Sequence, residues 1–278
     1  MTAAVKGPDY FGRAWNVQID TAQTNVLRVA FSVIKTHTKE PNKASVSIYN
    51  LAAETRNRLR KQNVFINVSA GYQNTSALLF SGYVRAIEHL RDKTEWITKV
   101  TSGDGELPIR TTRASKSWRP KTLIATVITD LATATTLPLG NIPAVCAAQD
   151  WRKGVTMFAR GYTSQGGAYD ELVKLAFSLG YEVSVQDGAL QMIKIDGANS
   201  LPVLLLSQQS GLVGSPQVAE TFFVKCTSLL NGAYTPGRRV HLKSDKYDGL
   251  FVVKAVEHKG DSHGQDWFSN LTLQGLKQ

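Results

Sequence analysis

The chain has 278 residues, 42% hydrophobic and 19% charged, the balance of an ordinary globular protein. No apolar run approaches the ~18 residues a membrane helix needs. The densest one, Leu201 to Leu206, is interrupted by Pro202. The opening MTAAVKGPDYFGRAW has no apolar core and predicts no secretory signal.

The net charge of +10 is uneven. Residues 111–160 hold seven cations and two anions, giving +5, and residues 161–210 hold two cations and five anions, giving −3. Such clustering favours a local contact over a uniformly basic surface. Cys146 and Cys226 are the only cysteines. They form no CxxC pair, and their apolar neighbours predict buried free thiols in a chain made in a reducing cytosol.

In chain order, Val17 and Ile19, then Leu27, Val29, Phe31 and Val33, then Val46 and Ile48 alternate with polar residues. Period two predicts half-buried antiparallel strands, with a polar turn at 37–43. Asn50 is a candidate N-cap for a short helix. Glu54 lies at its start and Arg56, Arg58, Arg60 and Lys61 toward its end, complementing the helix dipole. Strands are predicted at 64–72, 78–89 and 93–102, and Gly103-Asp104-Gly105 closes this β segment.

Two helices are predicted beyond it. One is capped by Thr122, with Leu123, Val127, Ile128 and Leu131 on its apolar face. The other presents Leu172, Leu175, Ala176 and Leu179, with Gly180 just past its end. Asp187-Gly188 predicts a tight hairpin between 181–186 and 189–195. Strands resume at 203–206, 216–219 and 222–230. The stretch 237–275 then alternates as three strands, with a turn at 246–249 and a loop at 258–266. The predicted fold is α+β and mainly β. Two antiparallel β-barrel or sandwich domains, 1–105 and 201–278, flank a small α/β middle region, 106–200, with two helices and a hairpin.

Three stretches invite a chemical reading. Gly161-x-x-x-x-Gly166 has P-loop spacing, but Gly167 stands where a lysine would reach the phosphates and Ala168 replaces the hydroxyl, so no nucleotide site is predicted. The loop His258-Lys-Gly-Asp-Ser-His-Gly-Gln-Asp266 gathers two histidines, two aspartates and a serine. Its spacing fits no standard zinc motif, and Gly260, Asp261, Ser262 and Gly264 are turn formers. His258, Asp261, His263 and Asp266 are therefore candidates for partner contact. A cell-wall hydrolase or peptidase using this loop is the enzymatic alternative. No catalytic, cofactor or metal residue is assigned. The third stretch is a basic run, Arg110, Arg113, Lys116, Arg119 and Lys121, around Trp118. In a helix, a spacing of three would gather the charges on one side, although Pro120 favours extended or turn geometry. A solvated loop, an acidic protein partner and a nucleic-acid-binding module remain open for it.

The ordered motifs resemble the baseplate hub (tail-tip hub) proteins of tailed bacteriophages. The likeness rests on FSVIKTHTKEPNKASVSIYNLAAETRNRL (31–59), INVSAGY (66–72), LLFSGYVRAIEH (78–89), GYTSQGGAYDELVKLAFSLGYEVSVQDGALQM (161–192), YTPGRRVHLKS (234–244) and GLFVVKAVEHKGDSHGQDWFSNLTL (249–273). The resemblance implies a structural virion protein without catalysis or cofactor. It implies two tail-tube-like β-domains per chain and a homotrimer whose six such domains match the sixfold tail tube and seat the central spike. The implied partners are further copies of the chain, the spike, the tail tube or a distal tail ring, the tape-measure protein and other baseplate proteins. DNA would pass only in transit. The implied place is the virion tail tip, after assembly in the host cytoplasm. A sixfold distal tail ring is the alternative within phage tails. A channel that passes DNA would avoid a basic wall, so the +5 segment is expected to face outward or toward an acidic partner.

Overall fold

The computed structural model describes residues 10–59, 64–220 and 222–276. In chain order its elements are β1 (Arg13–Ile19), β2 (Ala22–Thr24), β3 (Val29–Thr36), β4 (Lys43–Tyr49), α1 (Ala53–Arg58), β5 (Phe65–Tyr72), β6 (Ala77–Asp92), β7 (Glu95–Gly103) and α2 (Glu106–Thr111). There follow β8 (Arg113–Trp118), β9 (Thr122–Leu123), α3 (Ile124–Ala134), α4 (Ile142–Ala148), β10 (Met157–Phe158), β11 (Tyr162–Gly167), α5 (Ala168–Ser178), β12 (Tyr181–Gln186) and β13 (Ala189–Lys194). The chain ends with β14 (Leu204–Ser207), β15 (Leu212–Glu220), β16 (Phe223–Leu229), β17 (Arg239–Lys243), β18 (Asp248–Asp261) and β19 (Trp267–Gly275). The fold is α+β and mainly β.

The chain divides into two compact units. One comprises Met1–Thr36, Lys43–Ser102 and Ala198–Gln278; the other comprises His37–Asn42 and Gly103–Gly197. The first unit carries a 13-stranded sheet in the order β15-β16-β19-β18-β3-β4-β7-β6-β5-β1-β2, with β17 on β18 and β14 parallel to β17. Strands from both ends of the sequence thus share one sheet through the antiparallel β3–β18 pair, which aligns Val33 with His258. Of the barrel and sandwich forms that the sequence predicts, a barrel would require a closed sheet. Among the described residues the sheet path runs open from β15 to β2.

Alternation explains the burial. In β3 the odd residues Val29, Phe31 and Val33 point inward, and the same face continues to Lys35, 1% exposed. They join Val46, Ile48, Val68, Phe80 and Trp267 in one core, and Val240, Leu242, Val253, Val256, Leu271 and Leu273 belong to another. Asn50 is not the helix N-cap. It sits at φ 57°, its Oδ1 accepts the Trp96 N–H at 3.0 Å, and Ala52 occupies the cap position. The asparagine thus satisfies the start of β7, since a buried or strand-end amide left without an acceptor is costly. Glu54, Arg56 and Arg58 lie where the dipole argument placed them; Arg60 and Lys61 lie outside the described residues.

In the second unit α3 and α5 pack through Val127, Ile128 and Leu131, and through Leu172, Leu175 and Ala176. Thr122 does not cap α3. It lies in β9, its hydroxyl donates to the Arg119 carbonyl at 2.8 Å, and the cap position falls to Leu123. Gly180 follows α5 with φ 87°. The β12–β13 hairpin turns at Asp187 and Gly188, both at positive φ. The fully buried Asp104 carboxylate accepts both turn amides at 2.8 Å. Asn42 donates to the Val185 carbonyl at 2.8 Å, so the supposed polar turn at 37–43 supplies buried structure to this unit. Both cysteines are buried and free. Burial pushes the Cys226 thiol up to about 12 and raises Cys146 as well.

Candidate functional site

The 258–266 loop is the β18–β19 connection, with β18 running on to Asp261. Its groups diverge. His258, 1% exposed, lies inside the sheet, with Nδ1 2.9 Å from Ser269 Oγ. Burial first, then the Lys35 charge, pushes its pKa down to about 3, so the ring is neutral. Gly260 follows. A Cβ there would stand 2.4 Å from Phe31 Cζ and 2.9 Å from Trp267, whose rings meet edge to face.

Asp261 is the hub of the turn. Arg28 grips both carboxylate oxygens, at 3.2 and 2.8 Å, and lies over the Tyr49 ring. Asp261 also accepts the His263 N–H at 3.0 Å. The Arg28 hydrogen bond, opposed by partial burial and aided by the His263 and Gly264 amides, holds the Asp261 carboxyl below its usual range. Ser262 exchanges two hydrogen bonds with the Val29 backbone, at 2.9 and 3.0 Å. Arg13 donates to the carbonyls of Asp261 and Gly264 and lies over the Trp267 ring. Trp267 is buried and donates to the Gly71 carbonyl at 3.0 Å. At the tip His263 is exposed, with Nδ1 2.9 Å from Ser262 Oγ and its ring beside Trp15. Asp266 pairs at the surface with Lys259 at 3.0 Å.

The two histidines are therefore not brought together: one belongs to the core and the other to the tip. Among the described residues, no group of three or more His, Cys, Asp or Glu is placed to hold a metal ion.

The basic run is divided among three local structures. Arg110 lies in the last turn of α2 and faces Glu106 at 3.9 Å. Residues 113–118 form β8, paired with β11 so that Arg113 lies opposite Gly167. The glycines of the P-loop-like spacing therefore sit in and beside a paired strand rather than a phosphate cradle. In a strand, Arg113 and Lys116 fall on opposite faces, so the one-sided helical grouping does not form. Lys116 binds Asp130 at 2.6 Å, and Trp118 Nε1 donates to the same oxygen at 2.7 Å. Burial works to raise the Asp130 carboxyl, but these donors outweigh it and hold it low. Trp118 also packs against Tyr162. Arg119 and Lys121 are exposed in the turn before β9. Among the described residues no helix is long and apolar enough to cross a membrane.

The model of the family described as "Baseplate hub gp41" matches residues 16–273. The chain belongs to this family. Its fold is that of solved tail proteins. A tail protein from Neisseria meningitidis MC58 has 12% identity over 95% of this chain and 97% of its own, with a TM-score of 0.64. The 43 kDa tail protein of prophage MuSo2 from Shewanella oneidensis has 8% identity over 94% and 96%, with a TM-score of 0.66. The E. coli c3393 protein, a type VI secretion component described as similar to T4 tail proteins gp27 and gp5, has 11% identity over 94% and 77%, with a TM-score of 0.59. No curated protein sequence matches the chain. Membership makes it a structural tail component of the baseplate, and the 258–266 turn is then explained as construction of the hub's sheet.

Proposed function

We propose that this baseplate hub forms a homotrimeric, pseudo-sixfold ring that joins the tail tube to the central spike. The observation that carries the proposal is the shared sheet. Two β segments of one chain, residues 1–105 and 201–278, each contribute a long antiparallel hairpin, β6–β7 and β18–β19, and meet at β3–β18. If each segment is one tube-like domain, with 106–200 as the insertion, three chains supply six and match a sixfold tube. The open ends of the sheet differ, β15 having nine residues and β2 three. Unlike ends favour head-to-tail association, which closes into a ring, and free sheet edges need cover.

In this reading the role is geometric rather than catalytic. The ring adapts symmetries, holds the spike until ejection and lets DNA through. Its neighbours are the spike, the tube or a distal tail ring, the tape-measure protein and other baseplate proteins, and the virion tail tip is its final place after assembly in the host cytoplasm. Mass photometry of the hub with spike and tube proteins tests the central claim. The expected species contains three 30.4 kDa chains. A single chain, or six, in the purified complex overturns it.

A further inference from the structure

The basic segment and the strand paired with it form a surface that the sheet of the hub does not use. β9 and β10 pair with Leu123 opposite Met157 and Thr122 opposite Phe158. Alternation divides the ribbon. Thr122 and Phe158 turn inward, Phe158 against the buried core of this unit. Leu123, Met157 and Val155 turn outward and are 44%, 44% and 47% exposed. Arg119 and Lys121 lie in the turn that leads into β9 and Arg160 in the turn that follows β10, all three exposed. Among the described residues none of these three cations is in an ion pair, whereas Lys116 is taken by Asp130.

We propose that this outward face binds an acidic, extended segment of a different protein in the assembled tail, one that places a large apolar side chain over Leu123, Val155 and Met157. Charge decides the sign of the occupant: three exposed cations outside any ion pair stand in the turns that adjoin the ribbon. The apolar centre decides its kind. Interfaces are anchored by buried apolar groups inside a polar rim, which this surface offers from one side. Single-stranded nucleic acid needs open aromatic faces, and the one aromatic of the basic run, Trp118, is fixed by Asp130 and Tyr162. A membrane surface is matched by a long amphipathic helix, and this is a ribbon of two short strands. The proposal requires membership of a tail but not three copies in the ring.

The test is photo-crosslinking within assembled tails, with a benzophenone amino acid at position 123 or 157 and mass-spectrometric sequencing of the adduct. The expected adduct is one segment, rich in Asp and Glu, of another tail protein. Its yield falls about tenfold with Arg119→Glu plus Lys121→Glu, and similarly with Val155→Ser plus the untagged member of the Leu123/Met157 pair changed to Ser. Thermal melting of the purified variants confirms folding, and Arg119→Gln plus Lys121→Gln serves if the reversal unfolds the chain. An adduct with DNA, lipid, a neutral or basic segment or a second copy of this chain overturns the proposal. So does a yield indifferent to charge, or the lack of any adduct. A hub that is not trimeric but still gives the acidic adduct would overturn the ring and leave this surface standing.

Discussion

The turn at 258–266 and the run at 110–121 hold similar shares of polar and charged residues, and they spend them differently. In the turn, Asp261 is held by Arg28, Ser262 by the Val29 backbone, and His258 by Ser269. Its polar groups are mostly satisfied from within, and they fix how β18 meets β3 and β19. In the run, Lys116 and Trp118 share Asp130, while Arg119 and Lys121 remain exposed beyond them. A cluster that looks catalytic in sequence is therefore structural, and a cluster that looks uniformly basic contains a small free part. Where polar side chains bond each other and the backbone, their loss shows in stability. Where they do not, it shows in association.

The largest effect should come from the turn's tightest point. Gly260→Ala places a methyl inside contact distance of Phe31 and Trp267, in a core with no slack. Overpacking of this kind should cost about 3 kcal/mol, read as a lower urea midpoint at unchanged slope. An unchanged midpoint would mean that the β3–β18 junction yields easily, and the contrast between the two regions would fail.

His258 comes next. Removing its buried ring and its hydrogen bonds with His258→Ala should cost about 2–3 kcal/mol, while His263→Ala at the exposed tip should change stability by less than about 0.5 kcal/mol. The folded pKa of about 3 lies below the ordinary histidine value of 6.5, so the unfolded chain takes up the proton first as pH falls. The contribution is whole above pH 6.5 and is lost as pH drops toward 3, at no more than about 1.4 kcal/mol per pH unit. Urea melts between pH 7 and 4 should show this slope, and His258→Gln should flatten it. An equal slope in that variant would mean that other groups carry the acid response.

Arg28→Ala should cost less, about 1 kcal/mol, because the guanidinium is 39% exposed and the pair is partly screened. Asp261 is depressed in the folded state, so its share is present above the ordinary aspartate value of 3.8 and is lost as pH falls through the folded pKa. The Arg28→Ala deficit should therefore shrink in acid, and a deficit constant from pH 7 to 2 would remove the ion pair from the account.

Strands, the α5 face and the Asp-Gly hairpin were legible because they are local. Period two places Val29, Phe31 and Val33, and period 3.6 places Leu172, Leu175 and Ala176. The long-range choices were not legible. Nothing near Val33 announces that it pairs with His258, and Lys35 reads as a solvated charge until β3 is seen to carry it inward. Helix α4 is only seven residues long, begins with Ile-Pro and buries just Ile142 and Cys146, too little pattern to notice. The turn residues of 258–266 were recognised as turn formers. Arg13 and Arg28, which complete the turn, lie more than 230 positions away in the sequence and gave no signal. The outward half of β9–β10 is illegible for the same reason: in the sequence Leu123 fits a helix face, and nothing pairs it with Met157.

The smallest expected effect is the most discriminating. Arg119→Glu with Lys121→Glu should leave the urea midpoint of the purified chain within about 0.5 kcal/mol of the parent, because neither cation is in an ion pair among the described residues. Lys116→Glu, two residues before Trp118, should cost measurably more, since it sets a second carboxylate against Asp130 and removes the donor that holds it. Two charge reversals that outrank one in neutrality would locate the boundary between structural and free charge inside a stretch of six residues. If the double reversal instead unfolds the chain, Arg119 and Lys121 belong with Lys116, and the run is construction throughout, as the turn is.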